Sequence, residues 1–133
     1  MGEELFSVDD TCSVRWAERI GAIAVEWDRD VGGEDYRDVM ERVLDRIDDR
    51  DATKLLVDCR KQGPMSEADQ DWTVEDWQPR AVDAGLEAKA VVYPEDRPAK
   101  ATVDMSARKR PYPGLERLFT DDPGEARDWL GGK

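Results

Sequence analysis

Apolar residues recur along the chain in two rhythms, one of period two and one near 3.6, and their alternation predicts the order of elements. Residues 12–17 (CSVRWA) and 20–27 (IGAIAVEW) read as two strands around a turn at Glu18 and Arg19. In the second, Ile23, Val25 and Trp27 alternate with the small Ala22 and Ala24, the pattern of a strand covered on both faces. A hairpin is the simplest pairing, and Leu5 to Val8 offers a short extra strand before it. Beyond Gly32 and Gly33 the period changes. Tyr36, Val39, Met40, Val43, Leu44 and Ile47 fall on one side of an amphipathic helix, with Asp38, Glu41, Arg42, Asp45, Arg46, Asp49 and Arg50 on the other.

Lys54 to Arg60 is an apolar run of strand length with a polar end, as in a buried parallel strand. Gly63-Pro64 punctuates the chain, and Ser66-Glu-Ala-Asp69 is a near capping box that opens a helix bearing Ala68, Trp72, Val74 and Trp77. Pro79 donates no backbone hydrogen bond and disfavours helical geometry at Gln78, which predicts a kink or restart there and an end near Gly85. Glu87 to Tyr93 supplies a further strand. From 94 to 113 the chain holds four prolines, a short helix over 98–107 and the basic cluster Arg108-Lys109-Arg110. Leu115 to Thr120 reads as a strand. Asp122-Pro-Gly-Glu125 then combines an N-cap, a proline at the first helical position and an acid at the third, opening a closing helix with Ala126, Trp129 and Leu130 inward. Two strands followed by strands alternating with helices imply an α/β fold with right-handed crossovers. A length of 133 residues suits one domain, with a core from about 12 to 131.

Charge narrows the partners. The chain carries 20 Lys and Arg against 32 Asp and Glu, a net charge of −12, which opposes nucleic acid and disfavours anionic membranes except through the 108–110 cluster. That cluster either recognises an acidic partner or anionic headgroup, or is a solvated loop offsetting local carboxylates. The N-terminal stretch has no apolar signal-like run and no window reaches the roughly 18 apolar residues of a membrane span, so a soluble cytoplasmic protein is expected. Asp outnumbers Glu, Arg outnumbers Lys, and both His and Asn are absent. A GC-rich genome and a saline host both account for this bias.

Several chemistries are excluded. Without histidine there is no Ser-His-Asp or Cys-His catalysis and no His-containing zinc site, and Cys12 and Cys59 cannot make a four-Cys one. No Gly-rich phosphate loop follows a strand. The acidic stretch Asp28 to Asp35 misfits a calcium loop, with Gly32 at the fifth position and Val39 in place of the bidentate glutamate. No metal or cofactor is expected.

Two regions remain as candidates. Asp58, Cys59 and Arg60 sit at the carboxyl end of a parallel strand, the edge where open α/β sheets bind ligands. As a nucleophile Cys59 needs a thiol pKa lowered by Arg60 or Lys61; otherwise it fills space. The second region is Trp72 to Arg80. Two tryptophans five positions apart lie about 140° around an α-helix and cannot face one core patch, so one lines a groove for a small apolar ligand unless both pack against different neighbours. Arg80 either meets a carboxylate on that ligand or pairs with Asp76 or Asp83.

From roughly 12 to 131 the chain resembles the STAS-like, SpoIIAA-like family. The resemblance rests on Ile20-Gly-Ala-Ile-Ala-Val-Glu-Trp27, Glu34-Asp-Tyr36, Leu55-Leu-Val-Asp58-Cys-Arg60, Ser66-Glu-Ala-Asp-Gln-Asp-Trp72, Glu75-Asp-Trp77-Gln-Pro-Arg80, Ala84-Gly-Leu86 and Glu125-Ala-Arg-Asp-Trp-Leu130. Asp76-Trp-Gln-Pro-Arg80 is the most specific of these. The resemblance implies a mostly parallel sheet of four or five strands wound as successive βα units, similar to the lipid-carrying CRAL-TRIO domain. It also implies a non-enzymatic module that binds a small apolar ligand or a protein partner; a homodimer is compatible with it. Asp58, Arg60, Trp72, Trp77 and Arg80 are the expected binding residues. Some relatives are anti-sigma-factor antagonists switched by phosphorylation of a serine at the start of the helix after the third strand, and the nearest match is Ser66. Here the motif Asp-Ser-Ser/Thr-Gly is replaced by Gly63-Pro-Met-Ser66-Glu. A phosphate there would gain the helix N-terminus but meet Glu67 and Asp69.

If the acidity is an adaptation to salt, screening of its self-repulsion makes the fold salt-dependent. The melting temperature is then expected to rise between 0.1 and 2 M KCl, whereas an unchanged value assigns the bias to genome composition.

Overall fold

The structure, a computed structural model, describes residues 2–108 and 113–133. Six strands form one sheet in sequence order: β1 (Gly2–Val8), β2 (Cys12–Ala17), β3 (Ala22–Trp27), β4 (Lys54–Asp58), β5 (Ala88–Val92) and β6 (Glu116–Thr120). β1 to β3 are antiparallel neighbours and β3 to β6 are parallel. The sixth strand is the N-terminal segment, the extra strand offered by Leu5 to Val8. It runs from Gly2 rather than Leu5, and a bulge between Glu4 and Phe6 turns the Phe6 ring onto the core. β3 begins at Ala22 rather than Ile20 because the hairpin turn takes four residues, closing on Gly21 at φ +65, where a side chain is strained.

Helix α1 (Gly33–Arg50) links β3 to β4, and α4 (Arg97–Arg108) links β5 to β6. Between β4 and β5 run α2 (Glu67–Trp72) and α3 (Gln78–Asp83), joined by a π-helical turn, Thr73–Trp77. Helix α5 (Pro123–Gly131) closes the chain. Arg108 is the last residue of α4; Lys109 and Arg110 of the basic cluster lie outside the described residues. No helix among the described residues is long and apolar enough to cross a membrane.

The two sheet faces differ in kind. One carries Val14, Ile23, Val25, Trp27, Leu55 and Val57 against Tyr36, Met40 and Val43 of α1, Trp77 and Ala81, and Val103 of α4. The other carries Ala22, Ala24, Ala88 and Ala90 with Leu56 and Val92, and is met by α5 through buried Ala126 and Leu130 and half-buried Trp129. Short side chains there let a single helix approach closely, while the larger face needs three helical segments to cover it.

The kink or restart expected at Pro79 does not occur. Helix runs continuously from 67 to 83, and the π turn takes up the proline: the Gln78 amide donates to Thr73 O, five residues back. That wider turn also overturns the 140° separation. Positions five apart lie closer together around the helix there, and both tryptophans reach α1. Trp72 packs edge-on against Tyr36, centroids 6.1 Å apart, and Trp77 Nε1 donates to Met40 O at 2.7 Å.

The start of α1 depends on α2. Gly32, at its N-cap, has no side chain to offer. The buried Asp69 carboxylate substitutes, accepting the Gly33 amide at 2.9 Å and Arg37 Nε at 3.4 Å. Asp69→Ala is expected to lower stability by about 1–3 kcal/mol and to speed hydrogen exchange at the first turn of α1. Asp69→Asn, which keeps an acceptor oxygen, costs less. Equal losses in the two variants in urea titration would dismiss the cap.

Candidate functional site

Three helical segments do not fill the larger face. A cavity of about 50 Å³ remains between β3 to β6 and the segments α1, the π turn and α4. Its apolar wall includes Trp27, Met40, Val57, Val91, Val103 and Phe119, and half-buried Met65 and Val74 stand at its margin.

The polar groups that reach it divide into satisfied and unsatisfied. Thr73 Oγ1 donates to Asp69 O at 2.8 Å, so its one proton is spent and Tyr36 OH, 2.8 Å away, is the donor to Thr73. Gln62 is buried with neither Nε2 nor Oε1 bonded, and Gln78, also buried, leaves Nε2 without a partner. A buried amide left in this state costs about 1–3 kcal/mol.

Lys89 occupies β5 between Ala88 and Ala90 and points to the helix-covered face, only 7% exposed. Its ammonium lies 5.6 Å from the Trp77 ring centroid, with neither an ion pair nor a hydrogen bond among the described residues. Burial brings its pKa from 10.5 down to about 8. Arg117, also lining the cavity, is lowered by burial too. Cys59 is moved the opposite way, its thiol pushed up to about 12 by burial, which outweighs the attraction of Lys89. Arg60, its guanidinium bound to Asp58, does not supply the lowering that a nucleophilic Cys59 would need. Buried and protonated, Cys59 is a core side chain rather than a nucleophile.

Of the residues singled out in the sequence Cys59 lines this cavity, while Asp58, Arg60, Ser66, Trp72, Trp77 and Arg80 surround it without lining it. Asp58 alternates with Val57 on β4 and so projects to the α5 face, where it accepts from Arg60 Nε at 3.1 Å and Nη2 at 2.8 Å. Burial works to raise its pKa, but the bonds from Arg60 together outweigh it and hold the carboxyl below its usual value. Trp72, Trp77 and Arg80 are on the helix-covered side. Trp72 is half-buried under the guanidinium groups of Arg37 and Arg80, at 5.4 and 6.0 Å. Trp77 is fully buried. Arg80 bonds Asp76 at 3.2 Å and forks onto Glu41 of α1 at 2.9 and 2.5 Å, holding Glu41 below its ordinary value. Ser66 is exposed at the head of α2, its Oγ accepting the Asp69 amide at 3.1 Å.

Between the tryptophans, Thr73 and Val74 line the cavity, and Gln78 follows. Lys89 had a signal in the sequence: a charge in the middle of a run that reads as a fully buried strand. Gln62 and Gln78 had none, because loop glutamine and helical glutamine are ordinary on a surface.

The depressed Lys89 pKa is a stability penalty. The ammonium is disfavoured in the fold at every pH below about 8 and the difference vanishes above 10.5, where both states are neutral. Lys89→Met is therefore expected to raise the unfolding free energy near pH 7 by up to about 3 kcal/mol, the gain shrinking through pH 8–10.5. Denaturant titrations across that range check it; a destabilised Lys89→Met at pH 7 would mean the ammonium is satisfied.

The SpoIIAA-like family profile matches residues 22–131. Among solved structures, apo-SiaC from Pseudomonas aeruginosa is similar at 11% identity and TM-score 0.50, covering 89% of this chain and 98% of its own. A protein of the DUF3478 family with a SpoIIAA-like fold, from Shewanella loihica, is similar at 18% identity and TM-score 0.50, covering 98% of this chain and 92% of its own. At such identities these likenesses concern the fold alone. No curated protein matches the sequence. With the profile match spanning most of the chain and the sheet topology in agreement, the chain belongs to the SpoIIAA-like family.

Proposed function

We propose that the chain is a non-catalytic binding module that takes a small, partly apolar ligand into the cavity beneath α1, the π turn and α4. The observation that carries this reading is the Gln62 amide, buried in a mostly apolar pocket and unpaired at both ends. Ligand pockets are built this way, as an apolar wall with a few polar groups that fix orientation. The size sets a limit. At about 50 Å³ the space is a fraction of the roughly 150 Å³ that holds benzene in an engineered cavity. About two or three heavy atoms fit the space as it stands, and a four-carbon alcohol or acid must part Met65 and Val74 at its margin.

A second reading, a regulatory protein switched by phosphorylation, draws on the exposed Ser66 hydroxyl at the head of α2. A phosphate there would stand beside Glu67 and the amide end of the helix. Kinase-dependent phosphate on Ser66 that changes affinity for a protein partner would favour it.

Butan-1-ol serves as a probe for the cavity, with an apolar body and one hydroxyl. In millimolar titrations it is expected to shift the side-chain amide resonances of Gln62 and Gln78 and the emission of Trp27, leaving surface amides in place. Val74→Phe, which fills the pocket from the π turn, is expected to keep the far-ultraviolet dichroism and lose these shifts. Shifts that survive in Val74→Phe would place the alcohol elsewhere and dismiss the reading.

A further inference from the structure

Three cations near the surface are paired, Arg60 with Asp58, Arg80 with Glu41 and Asp76, and Lys100 with Asp121. Lys89 is buried beside the cavity and makes no ion pair among the described residues. We propose that the ligand of the cavity is a small carboxylate, its oxygens held by the Lys89 ammonium and the Gln62 and Gln78 amides, its carbon chain against Trp27, Val91 and Phe119. This rests on the reading of the cavity as a ligand site and names the chemistry that the site selects.

Charge points to an anion. In a chain of net charge −12 the cavity holds the buried Lys89 ammonium and is lined by no carboxylate among the described residues. A buried ammonium without a counter-ion is a destabilising element unless something else occupies its place. Hydrogen-bonding capacity points the same way. Lys89 offers three N–H donors and the Gln62 and Gln78 Nε2 atoms two each, against one free acceptor, Gln62 Oε1. The missing group must be acceptor-rich, and a carboxylate accepts through both oxygens without donating. Size and field exclude larger anions: the cavity is small, and the acidic surface repels a polyanion more strongly than a monoanion. The apolar wall requires a carbon chain rather than a bare inorganic ion.

The test compares butyrate, its neutral isostere butyramide and butan-1-ol on the full chain by calorimetry and thermal shift at pH 7. Butyrate is expected to bind at least tenfold more tightly than butyramide, and its advantage is expected to fade as pH rises past 8, where Lys89 loses its proton. Lys89→Met, expected to fold, should retain butyramide and lose the tenfold preference; Lys89→Arg should keep part of it. Equal binding of butyrate and butyramide would overturn the carboxylate and leave the ligand site standing. Failure of all three probes would overturn the site itself. Chloride or inorganic phosphate displacing butyrate at equal concentration would assign the ammonium to an inorganic ion, and a preference surviving in Lys89→Met would remove Lys89 as the anchor.

Discussion

The sequential strand order is the constraint on which the rest of the molecule depends. Parallel strands added one after another in the same direction, each through a crossover of the same hand, place every crossover helix on the same face. Here that face receives α1, the long α2–α3 segment and α4, while among the described residues the other has α5 alone. The chain answers with side-chain size. Alanines at 22, 24, 88 and 90 bring α5 close on the sparse side, and Ile, Val, Leu and Trp build outward on the crowded one. Three separate helical segments do not close over the sheet completely, and the gap they leave is the cavity.

Much of this was legible in the period of the apolar residues. The alternation in 22–27 announced a strand covered on both faces, and Tyr36 to Ile47 announced a helix on its core side. What escaped was set by tertiary geometry. The reach of β1 back to Gly2 follows from pairing with β2, not from any apolar run. The π turn at 73–77 cannot be seen in a pattern read at 100° per residue, and it reversed the inference drawn from the spacing of Trp72 and Trp77. Arg80 does pair with Asp76, one of the partners the sequence offered, but its closer partner, Glu41, lies 39 positions away in sequence.

The candidate site shows the same limit more sharply. Residues with conspicuous chemistry, Asp58, Arg60 and Arg80, turned out to satisfy one another or near neighbours, and satisfied charges near a surface contribute little beyond orientation. The polar residues inside the cavity are inconspicuous in the sequence because what distinguishes them is an absent partner, and absence is a property of three-dimensional surroundings. Lys89 alone broke a local rule, standing charged within a buried strand. Such violations persist where function offsets their cost in stability.

A further consequence lies in the hydrogen bonds that join the cavity to the head of α2. Ser66 Oγ accepts the Asp69 amide, the Asp69 carbonyl accepts Thr73 Oγ1, and Thr73 accepts the Tyr36 hydroxyl at the cavity wall. The Asp69 carboxylate meanwhile holds the first turn of α1, the helix that carries Tyr36 and Met40 into the same wall. One turn of helix therefore sets both the start of α1 and the shape of the pocket beneath it. Because these bonds are buried or half-buried, each strengthens in the low local dielectric, and loosening one leaves a polar group uncompensated. The exposed end of α2 and the cavity are thus parts of one packed unit, and a change in charge or tilt at Ser66 and a change in cavity volume draw on the same set of contacts.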